Sequence, residues 1–585
     1  MRTKLLAAAV ITVLLLTGCA AVPTQGPIRN GSPDGPVQQV NGVVIEAQSP
    51  RKNAKPLVIV NGFLEAMSDS RAFNVAREYM TPDAAAAWKP ETKTYVYDQS
   101  STKSLSALDN SRIELRAPLI GTIDERGSWT PAARGQTVQF VFKISEADGQ
   151  YRVSSVPPGV FLGSNQLEPQ LQPVALYFLN RERNMLVPDP IYLPLNLPPG
   201  QRATLLIQGL LNGQTSRLGS AVGTAAPAGT QMNVSVPVDV GVATVTLNDA
   251  VAGLNESDRR ALAAQIAWTL RPISTRVRIT VDGAKLLQES EIVSYSDFLD
   301  FDPSVPANQM KDLYGVRAGK IQRIAQDGSA TIGANPLNNS QLYQFPAESF
   351  AVDLRGEFGA IVTRIDGERV IAVDRLDPGD KDGKVETLAT AGTVLRPSYD
   401  NAGNLWVVDR AESPAPRLRI RSREGKLTEI QTTFGGLTPV QFRIAPDGVR
   451  VLLVLRKNGT VTVQTATIGP NAQNQLVLGN YRPLELPLTD ISDATWYQSG
   501  LLVAGRARAG AARQPWQVNV DGSQPRPIPG VSNEFQADKL AANPNIDTLP
   551  AVQDQSGQLH WQTKDLSWFT LEEDPPAPID PVYPG

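Results

Sequence analysis

One cysteine, Cys19, and one histidine, His560, occur in 585 residues. A lone cysteine excludes an internal disulfide framework, so any folded part must rest on its cores. A lone histidine excludes two-histidine zinc motifs and leaves a single base for a serine triad. It sits in Gly557-Gln-Leu-His-Trp561, which reads as a strand, and a structural role is expected there. The chain has no Gly-x-Ser-x-Gly elbow, no phosphate-binding loop and no dinucleotide fingerprint. It also has no basic excess: 55 Lys and Arg stand against 58 Asp and Glu. That balance disfavours nucleic-acid binding and electrostatic adhesion to anionic lipid. No apolar run reaches the roughly 20 residues that span a bilayer. No catalytic residue, metal site or cofactor is expected on these grounds. Carboxylate chemistry stays open, because a glycosidase needs only two acids. The acidic stretch Asp377 to Glu386 fails the EF-hand spacing, since Pro378 and Ala389 fall at ligand positions, and it reads as a solvated turn.

What is present begins with the position of Cys19. A short cationic segment, Met1-Arg-Thr-Lys4, precedes a mostly apolar run from Leu5 to Leu16, and Thr17-Gly18 lead into the thiol. This is the layout of a secretory signal peptide, too short for a permanent span. Leu16-Thr17-Gly18-Cys19 resembles the lipobox of bacterial lipoproteins. The resemblance implies cleavage ahead of Cys19, acylation of its thiol, and a mature chain held on the outer face of the cell membrane. Two or more acyl chains hold a protein stably, at roughly 0.8 kcal/mol per buried methylene. With residues 1–18 as the signal, residues 19–55 carry Pro23, Gly26, Pro27, Gly31, Pro33, Gly35, Pro36 and Pro50 and read as a flexible tether.

Hydrophobic content of 41% and charged content of 19% mark a globular chain, and its length calls for several domains. The 46 glycines and 46 prolines indicate many turns and therefore much β-structure. Residues 56–171 read as a small α+β domain, cystatin-like or similar to nuclear transport factor folds. Pro56 opens a helix whose apolar face is Val60, Phe63, Leu64 and Met67. Strands follow at 93–97, 112–123, 137–144 and 151–156.

Residues 172–290 read as a second α+β unit. Its elements are a strand at Val174 to Leu179, a helix from Arg202 to Leu211 stopped by Gly213, an alternating strand through Ala243, Val245 and Leu247, a helix from Glu256 to Leu270, and a strand through Val277, Ile279 and Val281. The strings Ala175-Leu-Tyr-Phe-Leu-Asn180, Leu205-Leu-Ile-Gln-Gly-Leu-Leu-Asn-Gly213, Gln265-Ile-Ala-Trp-Thr-Leu270 and Val277-Arg-Ile-Thr-Val-Asp-Gly283 resemble the GerMN domain of spore-germination proteins. The resemblance implies a binding or assembly module and brings no catalytic residue.

From 291 to 573 the chain repeats. Phe350, Leu395, Phe442, Trp496 and Leu540 open five units of blade length, the signature of an all-β propeller. A partial unit at Tyr314 to Ile332 and the stretch Leu566 to Leu571 are expected to complete or close the ring. Trp406, Trp496 and Trp516 are expected in blade cores rather than on a recognition face. The proline-rich tail, 574–585, reads as an extended end outside the propeller.

The order of lipobox, tether, α+β domain, GerMN-like unit and propeller is similar to that of the actinobacterial LpqB lipoprotein family. Val60-Asn-Gly-Phe-Leu-Glu-Ala66, Ala76-Arg-Glu-Tyr-Met-Thr81 and Trp88-Lys-Pro90 add to the likeness. This resemblance implies a non-enzymatic accessory protein that binds the extracellular domain of a sensor histidine kinase of the MtrB type. It would modulate two-component signalling linked to envelope homeostasis and cell division. A peptidoglycan-binding assembly factor is the alternative, and a propeller glycosidase or lactonase the third reading.

Overall fold

The computed structural model describes residues 47–67, 73–99, 104–302, 312–324, 340–376, 385–530, 536–544, 548–571 and 580–585. Cys19, Leu16, Thr17 and Gly18 lie outside them, as does most of the acidic stretch that opens at Asp377.

Helix α1 spans Pro56–Ala66, with Pro56 in the first turn, where its missing N–H costs nothing. It buries Ile59, Val60, Phe63 and Leu64. Two short helices follow, α2 (Asn74–Glu78) and α3 (Pro82–Ala87), the latter capped by the Thr81 hydroxyl, which accepts from the Ala84 amide. They pack on an antiparallel sheet that runs Gln150–Ser155, Thr137–Ala147, Arg112–Asp124, Lys93–Tyr97 and closes on Val160–Gly163, parallel to Lys93–Tyr97. Phe63, Trp88, Phe142 and Phe161 fill the space between the layers. The Trp88 indole N–H donates to the Gly159 carbonyl at 3.0 Å, so the buried ring carries no orphaned donor.

Helix α4 (Ser164–Gln170) leads into the second unit, a hairpin of Leu171–Leu179 with Leu186–Pro194. Helices α5 (Pro199–Leu211) and α6 (Glu256–Leu270) flank strands Val242–Leu247 and Arg276–Val281, which pair in parallel. The Asn255 side chain caps α6 by accepting from the Asp258 amide at 2.8 Å. Every residue of α6 from Ala261 to Leu270 is buried, as expected of a helix enclosed on all sides. Its buried polar groups are matched: Gln265 donates to the Tyr177 carbonyl and accepts from the Ala225 amide, and the Thr269 hydroxyl accepts from the Tyr177 amide.

Among the described residues the second half forms six sheets around an axis. Five have four strands each, beginning at Ser349, Ser398, Thr438, Thr489 and Ala537. The sixth combines Lys320–Ile324, Leu313–Arg317 and Asp580–Val582. Each inner strand neighbours the next, and Asp580–Val582 touches both Ser349–Val352 and Ala537–Ala541, which closes the ring. We number the blades from the composite one: blade 1 (313–324 with 580–582), then blades 2 to 6 in chain order.

Two expectations are corrected here. Leu566 to Leu571 does not close the ring; Trp568–Thr570 is the outer strand of blade 6. The tail beyond 574 is not wholly outside the propeller, because Asp580–Val582 is the inner strand of blade 1. Proline is tolerated there because this strand pairs on one side only, with Leu313–Arg317, so Pro581 sits at a sheet edge facing the axis.

Candidate functional site

The blades build their loops on carboxylates. Asp353 accepts from the Glu357 and Phe358 amides, Asp400 from the Asn404 amide and the Trp406 indole, and Asp447 from the Val449 and Arg450 amides. These are side-chain-to-backbone turns. Asp409 binds Arg417 and Arg419, Asp189 binds Thr215, Asp521 binds Ser523, and Asp554 binds Ser556 and the Gln558 amide. Together with Asp493, described below, these are all the buried carboxylates among the described residues. Each is spent on structure. His560 bridges Thr570 (2.9 Å) and Asp554 (3.1 Å) between neighbouring strands of blade 6. Among the described residues no group of acids, histidines or cysteines is arranged to hold a metal ion. Trp406 is buried in its blade, Trp496 is buried against the axis, and Trp516 donates its indole N–H to the Gly505 carbonyl.

A small open cavity lies where the inner strands meet. Arg396, Arg443, Trp496 and Tyr583 are among its lining residues. Arg396 reaches the tail strand, with Asp580 at 3.8 Å and the Pro581 carbonyl at 3.2 Å. Arg443 donates from Nη1 to the carbonyls of Phe442 and Arg396. Burial and the neighbouring Arg396 charge lower the Arg443 guanidinium to about 10. Asp493, on the inner strand of blade 5, accepts from the Leu540 amide at 2.7 Å, the Ala494 amide at 2.9 Å and the Gln441 side chain. Burial pushes its carboxyl up, against the pull of Arg443 and Lys539. Sequence reading passed over Arg396 and Arg443. A signal existed: each lies four residues before a turn-forming aspartate, Asp400 and Asp447, at equivalent places in two blades.

The three modules are joined by specific bonds. Arg126 of the first module donates to the carbonyls of Gln214 and Gly213, and Arg217 returns a bond to the Trp129 carbonyl. Tyr192, in the GerMN-like hairpin, donates to Ser523 of blade 5 at 2.8 Å. Burial raises the Tyr192 phenol well above its ordinary range, so it stays a donor. Asn480 and Arg482 of blade 4 bind the Ser216 carbonyl, and Val449 joins the hydrophobic core of the second unit. Arg134 spans from the first module to the carbonyls of Leu486 and Leu488.

This architecture defines a class: an α+β module and a GerMN-like unit seated on a six-bladed propeller. Family comparison places the chain within that class. Residues 49–168 match the model for the N-terminal domain of lipoprotein LpqB, residues 333–584 match the LpqB beta-propeller domain, and residues 175–287 match the Germane family, described as sporulation and spore germination. The chain belongs to the LpqB lipoprotein family. Lipoprotein LpqB of Cutibacterium acnes is 29% identical, with 89% of each chain covered. That of Streptomyces coelicolor is 28% identical over 100% of this chain and 98% of its own, and that of Thermobifida fusca 26% over 99% of both. Among solved structures, TolB from Acinetobacter baumannii aligns at 12% identity and a TM-score of 0.35, over 59% of this chain and 87% of that one. That likeness is too distant to bear on function.

Proposed function

We propose that this protein is a lipid-anchored accessory protein on the outer face of the cell membrane. In this reading it binds the extracellular domain of a sensor histidine kinase and tunes its signalling without catalysing a reaction. One observation carries it: the buried carboxylates of the described residues are consumed by turns and ion pairs, while the three modules are bonded into one body. Membership of a lipoprotein family and the lipobox-like Leu16-Thr17-Gly18-Cys19 support the anchor. Among the described residues no helix is long and apolar enough to cross a membrane.

The test is photo-cross-linking from the propeller in intact cells, with identification of what is captured. Recovery of a histidine kinase ectodomain, and altered kinase output on deleting residues 312–585, is the expected result. Capture of peptidoglycan fragments in its place would overturn the kinase assignment.

A further inference from the structure

Val234 and Val240 stand 90% and 97% exposed, whereas no other large apolar side chain among the described residues exceeds 52%. Both lie along one edge of the GerMN-like sheet. Val240-Gly241 is the two-residue turn that joins Val238–Asp239 to Val242–Leu247. Both turn residues have positive φ, 49° and 74°. A turn of this kind favours Asn, Asp or Gly at its first position. A β-branched residue is strained there, and so exposed a side chain packs on nothing in this chain that could offset the strain. The backbone beside it is fixed. The Val236 amide donates to the Thr204 hydroxyl of α5 at 2.9 Å, the Asn233 amide to the Thr246 carbonyl at 2.8 Å, and the Thr244 amide to the Pro237 carbonyl at 2.9 Å. The two valines are thus held outward on a pre-formed edge, which lowers the ordering cost of a contact.

We propose that Val240 and Val234 are apolar knobs by which the GerMN-like unit docks into a concave apolar surface of the kinase ectodomain. The identity of the partner rests on the kinase reading above. Charge argues against a lipid surface as the occupant. Residues 228–242 hold no lysine, arginine or aromatic side chain, and their one charge is Asp239, the reverse of a segment built for an anionic membrane interface. Shape argues against a second copy of this chain. An isologous pair must fit the same patch to itself, and one protruding turn meets another without burying either. A protein surface with an apolar hollow fits both valines.

Two measurements on the full chain purified in detergent test this: its affinity for the purified kinase ectodomain, and its own thermal transition. Val240→Asn gives the turn its preferred Asn-Gly sequence. Its transition is expected to rise while its affinity falls about tenfold, the loss from one valine that the complex no longer buries. Val234→Asn is expected to weaken binding in the same way with its transition unchanged. Leu427→Asn, exposed on blade 3, should match wild type in affinity. Wild-type binding that both Val234→Asn and Val240→Asn retain overturns this contact and leaves the kinase reading standing. A lowered transition in Val240→Asn makes the valine a folding residue and overturns the docking role. No binding by wild type overturns the kinase reading and the contact with it. A photo-cross-linker at position 240 in intact cells should capture the kinase; capture of lipid or of a second copy of this chain overturns the choice of partner.

Discussion

Tyr314 and Val582 face one another as antiparallel strand partners, joining the start of the propeller to the last residues of the chain. Both are buried, Tyr314 packs edge-on against Phe350 of blade 2, and Val582 belongs to the same core. The pairing makes one blade from two distant segments. A propeller blade cannot bury both faces alone, so each depends on its neighbours around the ring.

Val582→Ala should therefore destabilise the propeller by about 2 kcal/mol, the usual cost of emptying a buried aliphatic site. Val582→Asp should cost more, because it places a charge between blades. Leu427→Ala, on an exposed outer strand of blade 3, should change stability by less than about 0.5 kcal/mol. Denaturant titration followed by tryptophan fluorescence reads all three; equal effects at Val582 and Leu427 would show that the ring does not depend on this seam.

The seat between the GerMN-like unit and the propeller is tight at one point. A Cβ added at Gly469 of blade 4 would lie 2.9 Å from the Ala221 Cα, which is backbone and cannot rotate away. Gly469→Leu should force the two modules apart at a cost of about 1–3 kcal/mol, the range for overpacking. Gly479→Ala, in the same blade with nothing within 4 Å, is the control. Calorimetry should show one module's transition separating from the rest in Gly469→Leu only.

The features legible in the sequence were those set by local rules. Pro56 and the spacing of Val60, Phe63 and Leu64 marked α1, and the helix expected from Glu256 to Leu270 is α6 with the same bounds. Five blades were visible because each repeats its own inner strand. Of the sixth only the partial unit from Tyr314 was visible; its inner strand at 580–582 was not, since no window of sequence contains both parts. Proline misled at the tail, and a strand in the GerMN-like unit shows the same tolerance. Leu186–Pro194 contains Pro188 and Pro190, and the tail strand contains Pro581; both strands pair on one side only, where a missing N–H costs little. The spacing before Asp400 and Asp447 could have marked Arg396 and Arg443 as equivalent, but not that they meet at the axis, which happens only once the ring has closed.

Asp409 supplies a pH-dependent element. Its fully buried carboxylate binds Arg417 at 2.5 Å and Arg419 at 3.4 Å. Burial opposes its ionisation, yet the Arg417 hydrogen bonds and the Arg419 charge win, and its acidity is increased relative to an ordinary aspartate. A carboxylate depressed in the folded state stabilises above its unfolded value, near 4, and that contribution is lost as pH falls through the folded value. Asp409→Asn should thus be less stable than wild type at neutral pH, with the gap narrowing as pH drops below about 4. Asp409→Ala should cost about 3–5 kcal/mol, because Arg419 would stay buried without its partner. Urea titrations across that pH range measure both; a gap independent of pH would show that the carboxylate's charge plays no part.

If acyl chains on Cys19 hold the protein, Cys19→Ser removes the thiol and leaves the apolar run Leu5 to Leu16 as the only membrane-seeking segment. That run is shorter than the roughly 20 residues a spanning helix needs, so the variant should be released or retained only as an uncleaved precursor. Membrane fractionation should show a large loss of mature-sized chain from the pellet, and mass spectrometry should show an unmodified amino-terminal peptide. The folded body should be unaffected: its tryptophan emission and thermal transition should match wild type, since no disulfide is lost with the thiol. Firm membrane retention of a mature-sized Cys19→Ser chain would mean that something other than acylation holds it there.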